Sequence, residues 1–341
     1  MRSYKNITAI VILSLIGANA WADDLSEMLQ RMSDVGQSQN YRGTFILRKS
    51  DKLSTLYVAH GVDEQGVWES MESLNGELKK VLRHNNRIVS VYPDRQLVTV
   101  RQTNKQQPLH LRLPENINQL EFHYSMTRLD DDRIANHPTL VVNLLPRDQY
   151  RYGYRYWIDK NTGMLLRCDL FSENNEVIEQ MMFTSLEYIT GASSHDFNLQ
   201  QFERFNQQIL DESSTDQVSD TTTDWEIKQL PNGFMLTQNT MRYTRSPVEG
   251  APKGTESANS VSTADVPDLQ HLVYSDGLAS VSVFIEKNKG DENHLQGASS
   301  MGAVNAFGYS AGDFFVTVVG EVPEKTVQLM AQTTVKTPSS R

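Results

Sequence analysis

The first periodic segment of the chain predicts an amphipathic helix. Its apolar residues recur at intervals of three and four, which places them on one helical face: Leu25, Met28, Leu29, Met32 and Val35. Asp24 and Glu27 are typical of a capping pair, and Gly36 is typical of a helix end. We therefore expect one face of this helix to cover a hydrophobic core.

Beyond Gly36 the apolar period changes from 3.6 to 2, which indicates strands. The segments that read as strands are Tyr41–Lys49, Leu53–His60, Gly66–Ser73, Glu77–His84, Arg87–Tyr92, Gln96–Gln102, Leu140–Leu145, Arg151–Ile158, Leu165–Phe171 and Val177–Phe183. Residues 159–163 and 173–175 are suited to hairpin turns. The pattern predicts a large, strongly curved antiparallel meander with a helix on one face.

A change of composition divides the chain into two domains, expected at 23–205 and 225–335. Residues 206–224 are rich in Ser, Thr and acidic residues, which predicts a mobile linker. The second domain is expected to contain four strands and a closing helix: Phe234–Gln238, Leu272–Tyr274, Ala279–Glu286, Phe314–Gly320 and Glu324–Ala331. Residues 246–268, rich in Pro, Ser, Thr, Ala and Gly, predict a long, poorly ordered loop.

The start of the chain has the pattern of a cleaved signal peptide, residues 1–22. Arg2 and Lys5 form a basic region, Ile7–Ile16 an apolar region, and Ala20–Ala22 an A-x-A cleavage signal. The mature chain is expected to begin at Asp23. It then has 30 basic and 42 acidic residues, a net charge of −12, because the signal peptide contains two basic and no acidic residues. Such a chain should not bind nucleic acid over its whole surface.

The sequence gives enzymatic function no positive support. Gly308–Gly312 fits the G-x-S-x-G pattern of a serine hydrolase. The residues that follow, Asp313–Val319, predict a strand where a hydrolase needs a helix, and no histidine lies downstream of Ser310. A turn between two strands is the better interpretation. No pair of histidines has a metal-ligand spacing, and the triplet Asp130–Asp132 is interpreted as a solvated turn.

Cys168 is the single cysteine, so it cannot form an intramolecular disulfide in a compartment that permits disulfides, and a buried thiol is its expected role. Residues 150–157 alternate tyrosines with other residues, so the tyrosines should share one face of a strand and Arg151, Arg155 and Trp157 the other. Cross-strand aromatic packing is the preferred interpretation. Contact with an amphiphile that has an acidic head is the alternative.

A half-closed sheet covered by a helix can present apolar residues to a hydrophobic guest. The candidates are Phe45 and Leu47 on one strand and Ile88 and Tyr92 on another. Whether these side chains line a cavity or fill a core is open from the sequence.

Five segments resemble the RseB/MucB family of periplasmic sigma-E regulators. Tyr156–Asp159 and Thr162–Leu170 are similar to the N-terminal domain of that family. Leu230–Phe234, Val273–Phe284 and Val316–Pro323 are similar to its C-terminal domain. The segments occur in the same order as in the family and extend over nearly the whole mature chain.

The resemblance implies a mainly β protein with helical cover: an unclosed antiparallel β-barrel of lipoprotein-carrier type, then a smaller α+β domain. It implies binding to the periplasmic segment of a membrane-spanning anti-sigma factor, which is shielded from proteolysis and released by lipopolysaccharide or mislocalised lipoprotein. Tyr274, Ser275, Asp276 and Gly277 are the candidates for the partner-binding face, with a plain hairpin turn as the alternative. A periplasmic lipid or lipoprotein carrier is the alternative function. No cofactor is expected, and a homo-oligomer is left open.

Overall fold

The computed structural model describes residues 17–64, 66–103, 108, 110–111, 117–190, 202, 204–209, 223–242, 269–288 and 294–337. Most of the predicted signal peptide and linker, and the whole predicted loop at 246–268, lie outside these residues. The helices of the described part are α1 (Gly17–Ser38), α2 (Ile117–His123) and α3 (Glu324–Thr333), with a short 3-10 helix at Pro93–Arg95. None of them is both long and apolar enough to cross a membrane.

Twelve strands form the first sheet, in the order β12-β6-β5-β4-β3-β2-β1-β11-β10-β9-β8-β7. They are β1 (Tyr41–Lys49), β2 (Lys52–Asp63), β3 (Gly66–Ser73), β4 (Lys80–His84), β5 (Arg87–Tyr92), β6 (Leu97–Gln102), β7 (Tyr124–Ile134), β8 (His137–Pro146), β9 (Gly153–Asp159), β10 (Leu165–Phe171), β11 (Val177–Tyr188) and β12 (Asn206–Ile209). The pairing is antiparallel except between β12 and β6. The end strands β12 and β7 do not pair with each other in the described residues, so the predicted unclosed sheet is confirmed.

The alternation predicts β1, β3, β5 and β10 with their observed bounds, and it misses β7 entirely. The prediction of a turn at Asp130–Asp132 is wrong, because these residues lie inside β7. The reason is that β7 is an end strand whose residues 127–133 are all exposed. A strand with water on both faces has no need to alternate apolar and polar residues.

Helix α1 covers the concave face of this sheet. Leu29 and Met32 of the helix are fully buried in the same core as Tyr41 and Phe45 of β1. The predicted apolar face of α1 is therefore confirmed, although the helix begins before Asp24 and ends at Ser38.

The second sheet has six strands in the order β14-β15-β16-β19-β18-β17, and a separate pair joins β13 and β20. Their bounds are β13 (Trp225–Ile227), β14 (Met235–Arg242), β15 (Leu269–Ser275), β16 (Ser280–Lys287), β17 (Gly297–Met301), β18 (Val304–Ala311), β19 (Phe314–Gly320) and β20 (Thr334–Lys336). Helix α3 lies against β18 and β19, and its Val327 and Met330 are fully buried in a second core.

The hydrolase-like pattern at Gly308–Gly312 lies mostly within strand β18. Ser310 is exposed in that strand, and the turn to β19 consists of Gly312 and Asp313. The predicted turn between two strands is therefore present but shorter than expected. No helix follows Ser310 directly, so the geometry of a nucleophile elbow is missing at this serine.

Candidate functional site at the junction of the two domains

The four residues nominated for partner binding form the turn between β15 and β16. Asp276 Oδ1 accepts hydrogen bonds from the backbone N–H groups of Leu278 at 2.9 Å and Ala279 at 2.8 Å. Gly277 has φ +97°, a conformation that glycine adopts without steric cost. Tyr274, Ser275 and Asp276 are buried. The hairpin-turn alternative thus describes the local structure of this segment.

The outer oxygen of the same carboxylate reaches into the other domain. Asp276 Oδ2 lies 2.9 Å from Nε of Arg151, and both side chains are 0% exposed. A second carboxylate, that of Asp148, lies 3.0 Å from Arg151 Nη1. Arg151 Nη2 also donates a hydrogen bond to the carbonyl oxygen of Asn232 at 2.6 Å. One buried cation therefore joins the β8–β9 connection of the first domain to two segments of the second.

Aromatic rings lie next to Arg151, and the pKa values of side chains near the ion pair are shifted. The guanidinium carbon lies 5.1 Å from the ring centre of Phe234 and 5.9 Å from that of Tyr124, distances at which a cation interacts with a ring face. Burial, followed by the negative charge of Asp276, raises the pKa of Tyr124 well above its usual value of 10.0. Desolvation, followed by the charge of Arg151, lowers the pKa of His123. Both directions follow because burial disfavours the charged form of each side chain.

Other polar contacts extend the junction on the side of α3. Asn305 Nδ2 donates hydrogen bonds to the hydroxyl of Tyr152 at 2.9 Å and to the carbonyl of Val322 at 2.7 Å. Thr326 Oγ1 donates to the carbonyl oxygen of Tyr150 at 2.8 Å. Each of the residues 150–152 thus contacts the second domain through a side chain or a carbonyl oxygen. The prediction that these three residues alternate within a strand is wrong. The strand β9 begins only at Gly153.

Two apolar residues of the second domain complete the core of the first. Ala303, in the turn between β17 and β18, is 0% exposed within the core cluster that contains Leu29 and Phe45. Leu278 is partly buried against the same cluster. A side chain at Gly302 would start 2.8 Å from the hydroxyl of Ser50, so the fit is close. The two domains therefore share a hydrophobic core as well as a charge pair.

The four residues nominated for amphiphile binding lie on the concave face of the first sheet. Paired positions connect Tyr41, His60, Glu69, Arg83 and Ile88 across five neighbouring strands, so these side chains share that face with Phe45. Phe45 is 1% exposed and Ile88 2%, whereas Leu47 and Tyr92 are half-buried.

A buried polar chain lies beside Phe45. The hydroxyl of Tyr41 forms a hydrogen bond with Nε2 of His110 at 3.2 Å, and Nδ1 of His110 forms one with the Glu69 carboxylate at 2.8 Å. The His110 ring stacks on Phe45 with 5.1 Å between ring centres. Burial, then the charge of Glu69, raises the pKa of Tyr41, and desolvation lowers the pKa of His60. The sequence analysis did not identify this chain. One signal could have indicated it: Glu69 occupies the same face of β3 as the apolar residues Val67 and Met71.

A cleft of about 980 Å³ opens beside strand β7. Its lining combines apolar and charged side chains: Leu25, Met126, Thr127, Arg128, Leu129, Asp130, Asp131, Asp132, Val141, Arg155 and Trp157. Trp157 Nε1 donates a hydrogen bond to Asp132, and Arg167 lies 4.0 Å from the centre of its indole. Arg155 and Trp157 thus lie on the face predicted for them, opposite Tyr154 and Tyr156.

Cys168 is buried, as predicted. Among the residues that the structure describes, no group of three or more His, Cys, Asp or Glu side chains is placed to hold a metal ion.

Comparison with known proteins assigns both domains. Residues 24–204 match the MucB/RseB N-terminal domain, and residues 219–335 match the MucB/RseB C-terminal domain. The curated relatives of this two-domain class are sigma factor regulatory proteins. The sigma factor AlgU regulatory protein MucB of Pseudomonas aeruginosa is 30% identical over 321 residues, which cover 91% of this chain and 90% of that protein. The sigma-E factor regulatory protein RseB of Haemophilus influenzae is 24% identical over 332 residues, covering 95% and 96%. This chain belongs to the MucB/RseB family, as the resemblance predicts.

Solved structures of MucB share the fold. MucB in the Pseudomonas aeruginosa MucA/MucB complex superposes with a TM-score of 0.67 at 26% identity, over 93% of this chain and 100% of that one. MucB in complex with MucA(peri) gives 0.66 at 26% identity, over 92% and 99%. A further structure of MucB gives 0.60 at 25% identity, over 92% and 98%. The predicted fold, an unclosed sheet followed by a smaller domain, is thus confirmed.

Proposed function

We propose that this protein binds the periplasmic segment of a membrane-spanning anti-sigma factor and shields that segment from regulated proteolysis. The observation that best supports the proposal is the match of both domains to MucB, which has been solved in complex with MucA. The role is binding rather than catalysis. Export by the predicted signal peptide would place the protein in the periplasm of a Gram-negative bacterium, with the mature chain starting at Asp23.

The junction provides a physical route for regulation of this binding. An amphiphile, lipopolysaccharide or the acyl chains of a lipoprotein, releases the partner only if it binds the partner-free protein more tightly. In this proposal the amphiphile binds the first domain near Phe45, Leu47, Ile88 and Tyr92. Because the Phe45 ring already stacks on His110, an acyl chain at that position must displace His110. The displacement would disturb the core to which Ala303 of the second domain belongs.

The turn Tyr274–Gly277 stays part of the proposed partner-binding region. Since the Asp276 carboxylate is buried against Arg151, its contribution would be to hold the two domains together rather than to touch the partner. Partner contacts are then expected from the residues around the junction.

The test is a binding measurement with the purified mature protein and the periplasmic segment of its organism's anti-sigma factor. Isothermal titration is expected to detect binding, and added lipopolysaccharide is expected to weaken it. A protease that cleaves the free segment should cleave the bound segment more slowly. Absence of binding by the folded protein would reject the proposal.

A periplasmic lipid or lipoprotein carrier is the second candidate function. The cleft beside β7, with Met126 and the exposed Leu129 in its lining, favours it because these apolar side chains are accessible to a ligand. The joined second domain argues against a carrier, since a carrier does not need it. Uptake of an acylated ligand by a protein that fails to bind the anti-sigma factor would favour the carrier.

A further inference from the structure

The two large sheets end in four strands that have a partner on one side only within the described residues: β12, β7, β14 and β17. Such edges present unpaired backbone groups that another chain can pair with, and proteins commonly obstruct them with bulges or charged side chains. Three of these edges carry an obstruction or are short. β7 has an irregular register between Leu129 and Asp132 and several charged residues. β14 is irregular between Leu236 and Gln238, and β12 has only four residues.

Strand β17, with five residues, has neither a bulge nor a charged side chain. Its register against β18 is regular from Gly297–Gly308 to Met301–Val304. The residues Gly297–Met301 include no charged side chain and no proline. Ala298, Ser299 and Ser300 are exposed. The edge is therefore both regular and uncharged.

The turn beyond β17 determines which backbone groups point outward. Gly302, with φ +64°, and Ala303 form a two-residue hairpin loop. In such a hairpin the flanking pair, Met301 and Val304, exchanges both backbone hydrogen bonds. Alternation then directs the N–H and C=O groups of Ser300 and Ala298 away from β18. These two residues offer two donors and two acceptors to an added strand.

Large apolar side chains border this edge at both ends. Met301 is 80% exposed at the end of β17, and Tyr309 is 38% exposed on β18 near the start of β17. Pockets beside a free edge give an added strand its side-chain specificity. The turn that carries Ala303 lies in the core of the first domain, so the edge ends at the domain junction.

We propose that the free edge of β17 is the docking site for an extended, uncharged strand of the anti-sigma factor's periplasmic segment. This inference rests on the proposed function and names where that partner binds. The edge favours an uncharged strand because it has no side chain with which to pair an incoming charge, and an unpaired charge is costly to bury. An added strand would continue the six-stranded sheet beside the junction.

The test compares two substitutions at one residue in the full mature protein. Ser300→Pro removes an outward N–H while leaving the hydrogen bonds to β18 in place, since proline is tolerated where a strand N–H faces solvent. Ser300→Ala keeps the N–H and removes only the hydroxyl. Titration with the periplasmic segment is expected to show about tenfold weaker binding for Ser300→Pro and unchanged binding for Ser300→Ala. Amide hydrogen exchange of the wild-type complex should show protection at Ala298 and Ser300.

The outcomes separate this proposal from the broader one. Binding by Ser300→Pro as tight as wild type, or no protection at the two amides, would overturn the docking site while leaving anti-sigma factor binding intact. If Ser300→Pro does not fold, the exchange measurement on the wild type decides alone. Failure of the wild type to bind would reject both proposals. A dimer of the free protein that Ser300→Pro abolishes would show that a second copy occupies the edge instead.

Discussion

Arg151 of the first domain and Asp276 of the second form an ion pair with 2.9 Å between Nε and Oδ2, and neither side chain is exposed to solvent. Two such charges are removed from water only where further partners satisfy them. Asn232 and the turn amides of Leu278 and Ala279 supply hydrogen bonds here, and Asp148 supplies a second carboxylate. Arg151 Nε and Nη1 and Asp276 Oδ2 are held at ion-pair distance without an aligned hydrogen bond among the described residues. The pair therefore depends on the arrangement of both domains.

Substitution of Asp276 tests this dependence. Asp276→Asn keeps an oxygen for the turn amides but removes the charge opposite Arg151, and removal of one partner of a buried pair costs about 3 kcal/mol. We expect the free energy of unfolding, measured in urea, to fall by about that amount. As a control, Asp131→Asn removes a carboxylate from an exposed ion pair with Lys160 and should leave stability unchanged.

A double substitution is expected to be milder than the single one. Arg151→Met with Asp276→Asn leaves no buried charge unpaired between the two residues and keeps an oxygen for the turn amides, and uncharged replacements of buried ion pairs are often neutral. The double variant should unfold at a higher urea concentration than Asp276→Asn. An equal or greater loss of stability would show that Arg151 contributes mainly through Asp148 and Asn232.

Ala303 offers a second test of the shared core. Ala303→Glu would bury a carboxylate among apolar side chains of the first domain, so the turn must leave the core. We expect a loss of about 3 kcal/mol and two separate transitions in scanning calorimetry where the wild type shows one. The matched control is Met301→Glu, because Met301 is 80% exposed beside the same turn. A single transition for Ala303→Glu would contradict a shared core.

The lowered pKa of His60 predicts a pH dependence of stability. Its folded pKa lies below the usual 6.5 because burial disfavours the charged imidazole. As pH falls below 6.5, the unfolded chain takes up a proton before the folded chain does, so stability decreases with decreasing pH. His60→Phe, which retains a ring to stack on Tyr41, should show a flatter decrease between pH 7 and pH 5 in urea titrations at each pH. Equal slopes for the two proteins would contradict this prediction.

Glu69 is expected to anchor His110 to the sheet. Glu69→Gln removes the charge that accepts the His110 Nδ1–H hydrogen bond, and a hydrogen bond to a charged group contributes about 1.5–3 kcal/mol. We expect a stability loss in that range and faster hydrogen exchange at Leu111, which follows His110 and is buried in the core. Glu187→Gln, at an exposed carboxylate paired with Arg42, is the control and should change neither quantity.

The sequence predicts those elements whose local pattern decides their structure. Strand β1 alternates between a buried core face and water, so its bounds follow from periodicity. Strand β7 has no buried face over residues 127–133, so its sequence has no apolar alternation that would predict a strand. Edge strand β17 is not predicted either, because its small or uncharged side chains also show no alternation of apolar and polar residues.

The site was harder to predict because its contacts join distant parts of the chain. Ser275-Asp276-Gly277 has the residues of a hairpin turn, and that local prediction is confirmed. Nothing near Asp276 in the sequence indicates that its second oxygen meets Arg151, which is 125 residues earlier. Arg151 itself lies among alternating tyrosines, which predicts a strand position rather than a junction between domains.

The turn at Gly302 and Ala303 also has a consequence for the order in which the molecule can mature. The core of the first domain includes a residue that is synthesised after nearly nine-tenths of the chain. Until that residue is synthesised, the core of the first domain lacks one buried methyl group, and a gap of that size costs about 1 kcal/mol. The first domain therefore reaches its final packing only after most of the second domain has been synthesised. A fragment that ends at the linker is less stable than the same residues in the full chain.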